Sequence, residues 1–398
     1  MIKYARLGYG TVGSGVAEVM AEQADKIAAM VGERVELGYI LVRRDYPGDK
    51  YADKMVTDFS VIENDPAVSI VAEVIGGVGD AYDYSKRALL AGKSLVSSNK
   101  ELVAVHGAEL NELARQKGVN YLFEGSVGGG IPILRPLCQC LAANRVDEVF
   151  GILNGTTNYI LTAMDTQGQS FSEALKKAQE LGYAEADPTA DVEGIDACRK
   201  TAILADLAFG KNMDAAAIPT EGITGVTTED LELAKALGYG IKLLGHAIRT
   251  DGGCCAFVAP HLISKTHLLA SVSGVMNACV VRASAVGEVM FYGPGAGKRP
   301  TASAVAADIV DAAQHRDFRK DTDLGAPGGV LAPEAALSSR WYVRSSAAPD
   351  TVLAAFPGAS PVYGESHDCG FITEAMTRPA LEEKLRAVEA KAVYRVLA

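Results

Sequence analysis

Apolar residues in the first third of the chain fall into short continuous runs: Ile2 to Leu7, Val35 to Val42, Ser69 to Ile75, Ser94 to Ser97 and Asn120 to Glu124. Between the runs the spacing changes to that of a helix, with Val12, Val16, Val19, Gln23, Ile27 and Met30 near one stripe and a further helix from about Tyr82 to Ala91. Strands that are apolar throughout and alternate with helices belong in a parallel sheet covered on both faces. The pattern predicts an α/β domain over residues 1–132.

Beyond residue 132 the order is less regular. Val146 to Leu153 reads as a strand, Thr157 to Met164 as the start of a helix, and Ser170 to Leu181 and Ile195 to Phe209 as two more helices. Val280 to Val286 and Gly287 to Phe291 read as strands, and Thr301 to Ala312 as a helix after a glycine-rich loop. A Gly- and Pro-containing stretch, Leu324 to Pro333, marks a linker. Residues 338–398 then run strand, helix, strand, strand, helix, strand, the ferredoxin-like order.

Composition narrows the class of partner. A chain of 398 residues, 48% of them hydrophobic, can bury more than one core. The formal charge of -11 argues against a nucleic-acid surface, which needs a basic stripe to neutralise phosphates. No apolar run reaches the length of a membrane span, and the first residues lack the apolar core of a signal peptide, so a cytoplasmic location is expected. The seven cysteines lack metal-site spacing and read as buried, reduced thiols.

The sequence Gly8-Tyr9-Gly10-Thr11-Val12-Gly13 stands between the first strand and the first helix, the context a dinucleotide fingerprint requires. Gly8 permits the tight turn, Gly10 lets backbone approach a pyrophosphate, and Gly13 allows close packing, leaving the amides that open the helix for the phosphates. The second strand ends in Arg43-Arg44, which suits the 2′-phosphate of NADP, while Asp45 leaves NAD open. Lys100 follows the fourth strand on the side where ligands bind in such sheets. Glu124 precedes a glycine cluster whose free carbonyls and amides can hold an ion or a ligand.

The densest chemistry lies in Gly182 to Lys200, where Glu185, Asp187 and Asp191 lead into a helix carrying Asp196 and Lys200 four residues apart. Such a pair is often a solvated surface contact worth a few tenths of a kcal/mol. Here the helix that follows is too apolar for the surface, and a lysine opening a buried helix points to a ligand with an amino group and a reducible carbonyl.

These motifs, together with Gly76-Gly77-Val78, Ser98-Asn99-Lys100, Glu124 to Pro132, Asn154-Gly155-Thr156-Thr157-Asn158 and Gly293 to Ser303, resemble those of the homoserine dehydrogenases, in the same order. The resemblance implies reversible reduction of L-aspartate semialdehyde to L-homoserine with NADP or NAD, in the pathway to threonine and methionine. It implies that Lys200 transfers the proton, that Lys100 contacts cofactor and substrate, and that Glu185 and Asp196, with Asn154, Gly155 and Thr156, hold the substrate. Gly8, Gly10, Thr11, Val12, Gly13, Arg43, Arg44, Gly76, Ser98 and Gly293 would line the cofactor. Glu124, with backbone groups of Val127, Gly129 and Ile131, matches a site for a monovalent cation such as sodium.

The resemblance further implies a substrate and dimerisation domain over residues 133–300, a homodimer or homotetramer, a helix at 301–320 that returns to the first domain, and an ACT-like domain over residues 338–398. In that last domain Ser345-Ser346-Ala347-Ala348-Pro349 replaces the usual Asp-x-Pro-Gly turn, which puts threonine feedback in doubt. Two other readings compete. A catalytically silent NADP-binding regulator would not need the complete set of lysines and carboxylates. A phosphorylating semialdehyde enzyme would need a cysteine nucleophile with a histidine partner; Cys198 is near the candidate site, but no partner histidine is identifiable.

Overall fold

The computed structural model describes every residue except 45, 252, 321, 323 and 398, and the backbone alone at 326–328. The first strands and helices are β1 (Ile2–Leu7), α1 (Thr11–Glu22), α2 (Ala24–Val31), β2 (Val35–Leu41), β3 (Met55–Val56), α3 (Ser60–Asn64), β4 (Val68–Glu73), α4 (Gly79–Leu90), β5 (Ser94–Ser97), α5 (Lys100–Lys117) and β6 (Tyr121–Leu122). The strands form one parallel sheet in the order β3-β2-β1-β4-β5-β6, the doubly wound arrangement that places ligands beyond the strands' carboxyl ends. The stripe read as one helix breaks at Gln23: Val16, Met20 and Ile27 are buried, whereas Met30 is exposed.

The chain continues through β7 (Val146–Ile152), α6 (Gly155–Gln167), α7 (Phe171–Glu180), α8 (Thr189–Val192), α9 (Ile195–Phe209), β8 (Lys211–Met213), α10 (Thr228–Ala236), β9 (Tyr239–Thr250), β10 (Gly253–Ser264), β11 (Met276–Ala283), β12 (Gly287–Pro294) and α11 (Lys298–Gln314). It ends with β13 (Ala326–Gly329), β14 (Ser338–Ser345), α12 (Pro349–Ala355), β15 (Val362–Tyr363), β16 (Cys369–Ile372), β17 (Met376–Thr377), α13 (Arg378–Leu385) and β18 (Ala390–Val396). The last helix expected before the linker starts three residues earlier than its spacing indicated, and the third strand expected within residues 338–398 divides into β16 and β17.

Two compact units result: Met1–Arg145 with Ala202–Ala215 and Gly293–Gly329, and Val146–Thr201 with Ala216–Tyr292 and Val330–Ala398. In the first, α11 packs on α1 where Gly15 leaves room; a Cβ there would stand 2.8 Å from the Lys298 carbonyl oxygen. Val16, Met20, Ile70, Val96, Val305 and Ile309 share the resulting core.

In the second unit a mixed sheet runs β12-β11-β7-β9-β10-β18-β14-β16-β15. Its centre is the β9–β10 hairpin, paired from Tyr239 with Ser264 to Thr250 with Gly253. The C-terminal strands keep the ferredoxin-like order β18-β14-β16-β15 and have a core of their own around Trp341, Val343, Val352 and Phe371. That sheet is continuous with the rest, because β18 pairs in parallel with β10 through His261 and Leu262. Buried Arg344 on β14 adds ion pairs to Asp230 at 2.7 Å, Glu229 at 3.0 Å and Asp368 at 3.1 Å.

None of the seven cysteines is in a disulfide; Cys198, Cys254, Cys255, Cys279 and Cys369 are buried as expected, but Cys138 is half-buried and Cys140 exposed. Among the described residues no helix is long and apolar enough to cross a membrane.

Candidate active site

The glycine loop in the first unit takes the shape its sequence requires. Gly8 has φ +102°, and a Cβ on Gly13 would lie 2.6 Å from the Gly8 carbonyl oxygen, so both positions exclude side chains. A Cβ on Gly10 would meet nothing within 4 Å. Gly10 therefore leaves open space over the start of α1, where it caps the helix without a side-chain hydrogen bond and the amides of Thr11 and Val12 begin the first turn.

Beside this loop, Glu73 ends β4 fully buried and accepts hydrogen bonds from the amides of Ile75 at 2.8 Å and Gly76 at 3.3 Å and from the Ser97 hydroxyl at 2.7 Å. Burial pushes its pKa up, against those donors. Ser98 donates its amide to the Glu73 carbonyl, and Asn99 caps α5, so Lys100 opens that helix. Sequence reasoning missed Glu73, although a carboxylate closing an apolar strand was a visible signal. It also missed Arg6, which is buried beneath the first turn of α1, donates to the Gly13 carbonyl and faces the Tyr9 ring at 5.1 Å.

Arg43 and Arg44 are exposed at the end of β2. Arg43 pairs with Asp80 at 3.1 Å, and Arg44 lies over the Tyr46 ring at 5.5 Å. Asp45, the residue that left NAD open, is outside the described residues.

Glu124 is buried, and its carboxylate accepts from three successive amides, Ile133 at 2.7 Å, Leu134 at 2.8 Å and Arg135 at 2.8 Å. Its own amide donates to Asp308, whose other oxygen pairs with Arg135; burial pushes the Asp308 carboxyl up to about 7. Asp308 was invisible to sequence reasoning because it lies 184 residues away. Among the described residues no backbone hydrogen bond ends on the carbonyls of Val127, Gly129 or Ile131. Gly293 packs against the same loop, with Ile131 3.3 Å from where its Cβ would be, and the Gly130 amide donates to Pro294.

In the second unit, α9 approaches β9 closely because Gly245 faces Thr201; a Cβ on Gly245 would be 2.0 Å from the threonine hydroxyl. That approach buries the start of the helix. Lys200 Nζ donates to Asp196 Oδ2 at 2.7 Å and to the Leu153 carbonyl at 2.8 Å, with both side chains less than a tenth exposed. The surface-pair reading is thereby excluded. Asn154 donates from Nδ2 to Asp196 at 2.8 Å and Asp191 at 2.7 Å, while its Oδ1 caps α6 at Thr157. Gly155 opens that helix, and Thr156 donates its hydroxyl to the Tyr183 carbonyl at 2.7 Å, tying the helix to the acidic loop.

Glu185 is exposed on that loop, and among the described residues no hydrogen bond joins its carboxylate to the Asp196–Lys200 pair. Asp187 organises the loop by accepting from the amide and hydroxyl of Thr189. Cys198 is buried and its thiol pKa is pushed up by burial, which disfavours the thiolate an acyl-transfer enzyme needs.

Two family models match the chain, "Homoserine dehydrogenase, NAD binding domain" over residues 8–124 and "Homoserine dehydrogenase" over residues 132–310. The homoserine dehydrogenase of Pseudomonas aeruginosa is 42% identical over 87% of this chain and 82% of its own length. The crystal structure of a homoserine dehydrogenase from Thiobacillus denitrificans superposes with a TM-score of 0.91 at 36% identity, covering 100% of this chain and 98% of that one. A hyperthermophilic archaeal homoserine dehydrogenase in complex with NADPH matches with a TM-score of 0.66 at 28% identity, covering 78% and 97%.

Proposed function

The chain belongs to the homoserine dehydrogenase family, and from that premise we propose how its residues divide the work of the family's reaction. The protein is an NAD(P)-dependent oxidoreductase that interconverts L-aspartate semialdehyde and L-homoserine in amino-acid biosynthesis. NAD(P)H, when bound, supplies the hydride. Negative charge then grows on the carbonyl oxygen, and a positioned ammonium lowers that barrier and completes the alcohol.

Lys200 takes this role. The observation that carries the assignment is its burial in a closed cluster: Asp196 holds the ammonium, the Leu153 carbonyl fixes its direction, and Asn154 holds Asp196. In the reverse direction the same nitrogen takes the proton from the hydroxyl. Asp196 and Glu185 serve the substrate ammonium, Gly155 and Thr156 offer the amide end of α6, and Lys100 acts at the cofactor end. Gly8, Gly10, Thr11, Val12, Gly13, Gly76, Ser98 and Gly293 line the cofactor.

NADP is the preferred cofactor in this reading, since Arg43 and Arg44 stand at the end of β2 with no described carboxylate but Asp80 on Arg43. A monovalent cation would rest on the carbonyls of Val127, Gly129 and Ile131 beside Glu124; three neutral oxygens and one carboxylate suit a hard, singly charged ion. We assign cofactor binding to residues 1–132 with the return helix at 301–320, substrate binding and dimerisation to 133–300, and an ACT-like role to 338–398, in a cytosolic homodimer or homotetramer.

The test is a kinetic comparison of NADPH and NADH at fixed semialdehyde, repeated with threonine and with sodium replaced by a bulky organic cation. Absence of semialdehyde reduction would overturn the assignment of Lys200, and an NADH preference would overturn that of the arginines.

A further inference from the structure

Asn277, the second residue of β11, is buried to 1% exposure, and neither its Nδ2 nor its Oδ1 has a hydrogen-bond partner. A carboxamide brings two donors and an acceptor, and leaving them all unmade is costly for a neutral side chain. Other buried asparagines in this unit are satisfied. Asn158 donates to the carbonyls of Val272 and Met276 and accepts from Lys242, and Asn154 uses both ends within the Asp196 cluster.

The register of the sheet sets where Asn277 lies. Ala278 is opposite Ile152, so Asn277 falls beside Leu153, whose carbonyl holds Lys200. Its Oδ1 is 3.5 Å from where a Cβ on Gly155 would stand, which puts the amide at the first turn of α6. That helix has 13 residues, and its Asn154 cap occupies the Thr157 amide.

We infer that Asn277 binds the α-carboxylate of the amino-acid substrate, together with the opening amides of α6; the inference rests on the Asp196–Lys200 cluster being the substrate site. The described groups around that cluster are rich in carboxylates, which suit the substrate's ammonium and repel its carboxylate. A neutral donor at the positive end of a helix is the complement the second group needs. Asn154 has no free donor for it, and Asn277 has two.

The test uses the full chain in the homoserine-oxidising direction, with Asn277→Ala and Asn277→Asp. Asn277→Ala should raise the KM for homoserine about tenfold to a hundredfold, with kcat and the cofactor KM changed by less than about threefold. Asn277→Asp sets a carboxylate against the substrate's own and should raise it further. Aminopropanol, which lacks the carboxylate, should inhibit wild type and Asn277→Ala equally. The melting temperature of free Asn277→Ala should not fall, since no partner is lost.

A homoserine KM unchanged in both variants, equal weakening of homoserine and aminopropanol, or a lowered melting temperature that tracks the KM change would each overturn the role of Asn277. Those outcomes leave wild-type turnover intact. A wild-type protein that fails to oxidise homoserine would instead overturn the substrate-site reading, and this inference with it.

Discussion

Replacing Lys200 with methionine removes one charge from a closed pair and keeps most of the side chain's volume. Asp196 would then be buried without its ammonium partner, while the Asn154 amide at 2.8 Å remains. A buried carboxylate that loses its partner costs about 3 to 5 kcal/mol of stability. Loss of a positioned acid slows the reaction by about a hundredfold to ten-thousandfold, equivalent to roughly 3 to 5 kcal/mol on the barrier. The two effects are of similar size but separable. In the double variant Lys200→Met, Asp196→Asn the stranded charge is replaced by a neutral amide of the same shape, so most of the stability should return while turnover stays low. Denaturant midpoints measure the first quantity, and NADPH consumption with semialdehyde measures the second. Cofactor affinity, followed by NADPH fluorescence, should be the same in all forms. Turnover of Lys200→Met within about tenfold of wild type would refute the acid role, as would a double variant that regains activity along with stability.

Gly10→Ala and Gly13→Ala should differ sharply: the methyl of the first meets no protein atom within 4 Å and should leave folding intact while raising the NADPH KM by about tenfold or more, whereas that of the second runs into the Gly8 carbonyl and should reduce soluble, folded yield. Arg43→Ala should raise the KM for NADPH about tenfold and leave that for NADH unchanged; equal changes would remove Arg43 from 2′-phosphate recognition. Asp206 on α9 gives stability a pH dependence, because burial pushes its carboxyl from 3.8 to about 7 despite hydrogen bonds from Met213 and Asn212. The folded protein therefore holds an extra proton between those values, so this group's contribution is fully present below about pH 4 and is lost as pH rises through 7, by up to about 4 kcal/mol. Asp206→Asn should flatten that part of the stability profile measured by denaturant titration; an unchanged profile would refute the raised value.

The glycine fingerprint, five of the six strands of the parallel sheet and the helix from Ile195 to Phe209 were legible, because each depends on neighbours within a few residues, whereas the two-residue β3 was too short to leave a pattern. The β9–β10 hairpin at the centre of the second sheet was not assigned to any element. Its strands are buried along most of their length, so they lack clean alternation, and β10 carries Pro260 and two adjacent cysteines that dilute a strand signal. Glu185 read as well as Asp196 in the acidic stretch, yet only Asp196 joins the buried cluster, since it lies one helical turn from Lys200 on the same face.

The sequence by itself determined the family, the reaction and the local geometry of each motif, for these rest on residue identity and on spacings of a few positions. Tertiary structure decided which polar groups are spent and which are free. Glu124 meets Asp308 and the Ile133 to Arg135 amides, Asn154 is consumed by two aspartates, and Asn277 is left unpaired beside Leu153. Those outcomes depend on sheet register and helix approach between distant segments. A hydrogen bond forms or fails within a fraction of an ångström, a distance that spacing along the chain does not set.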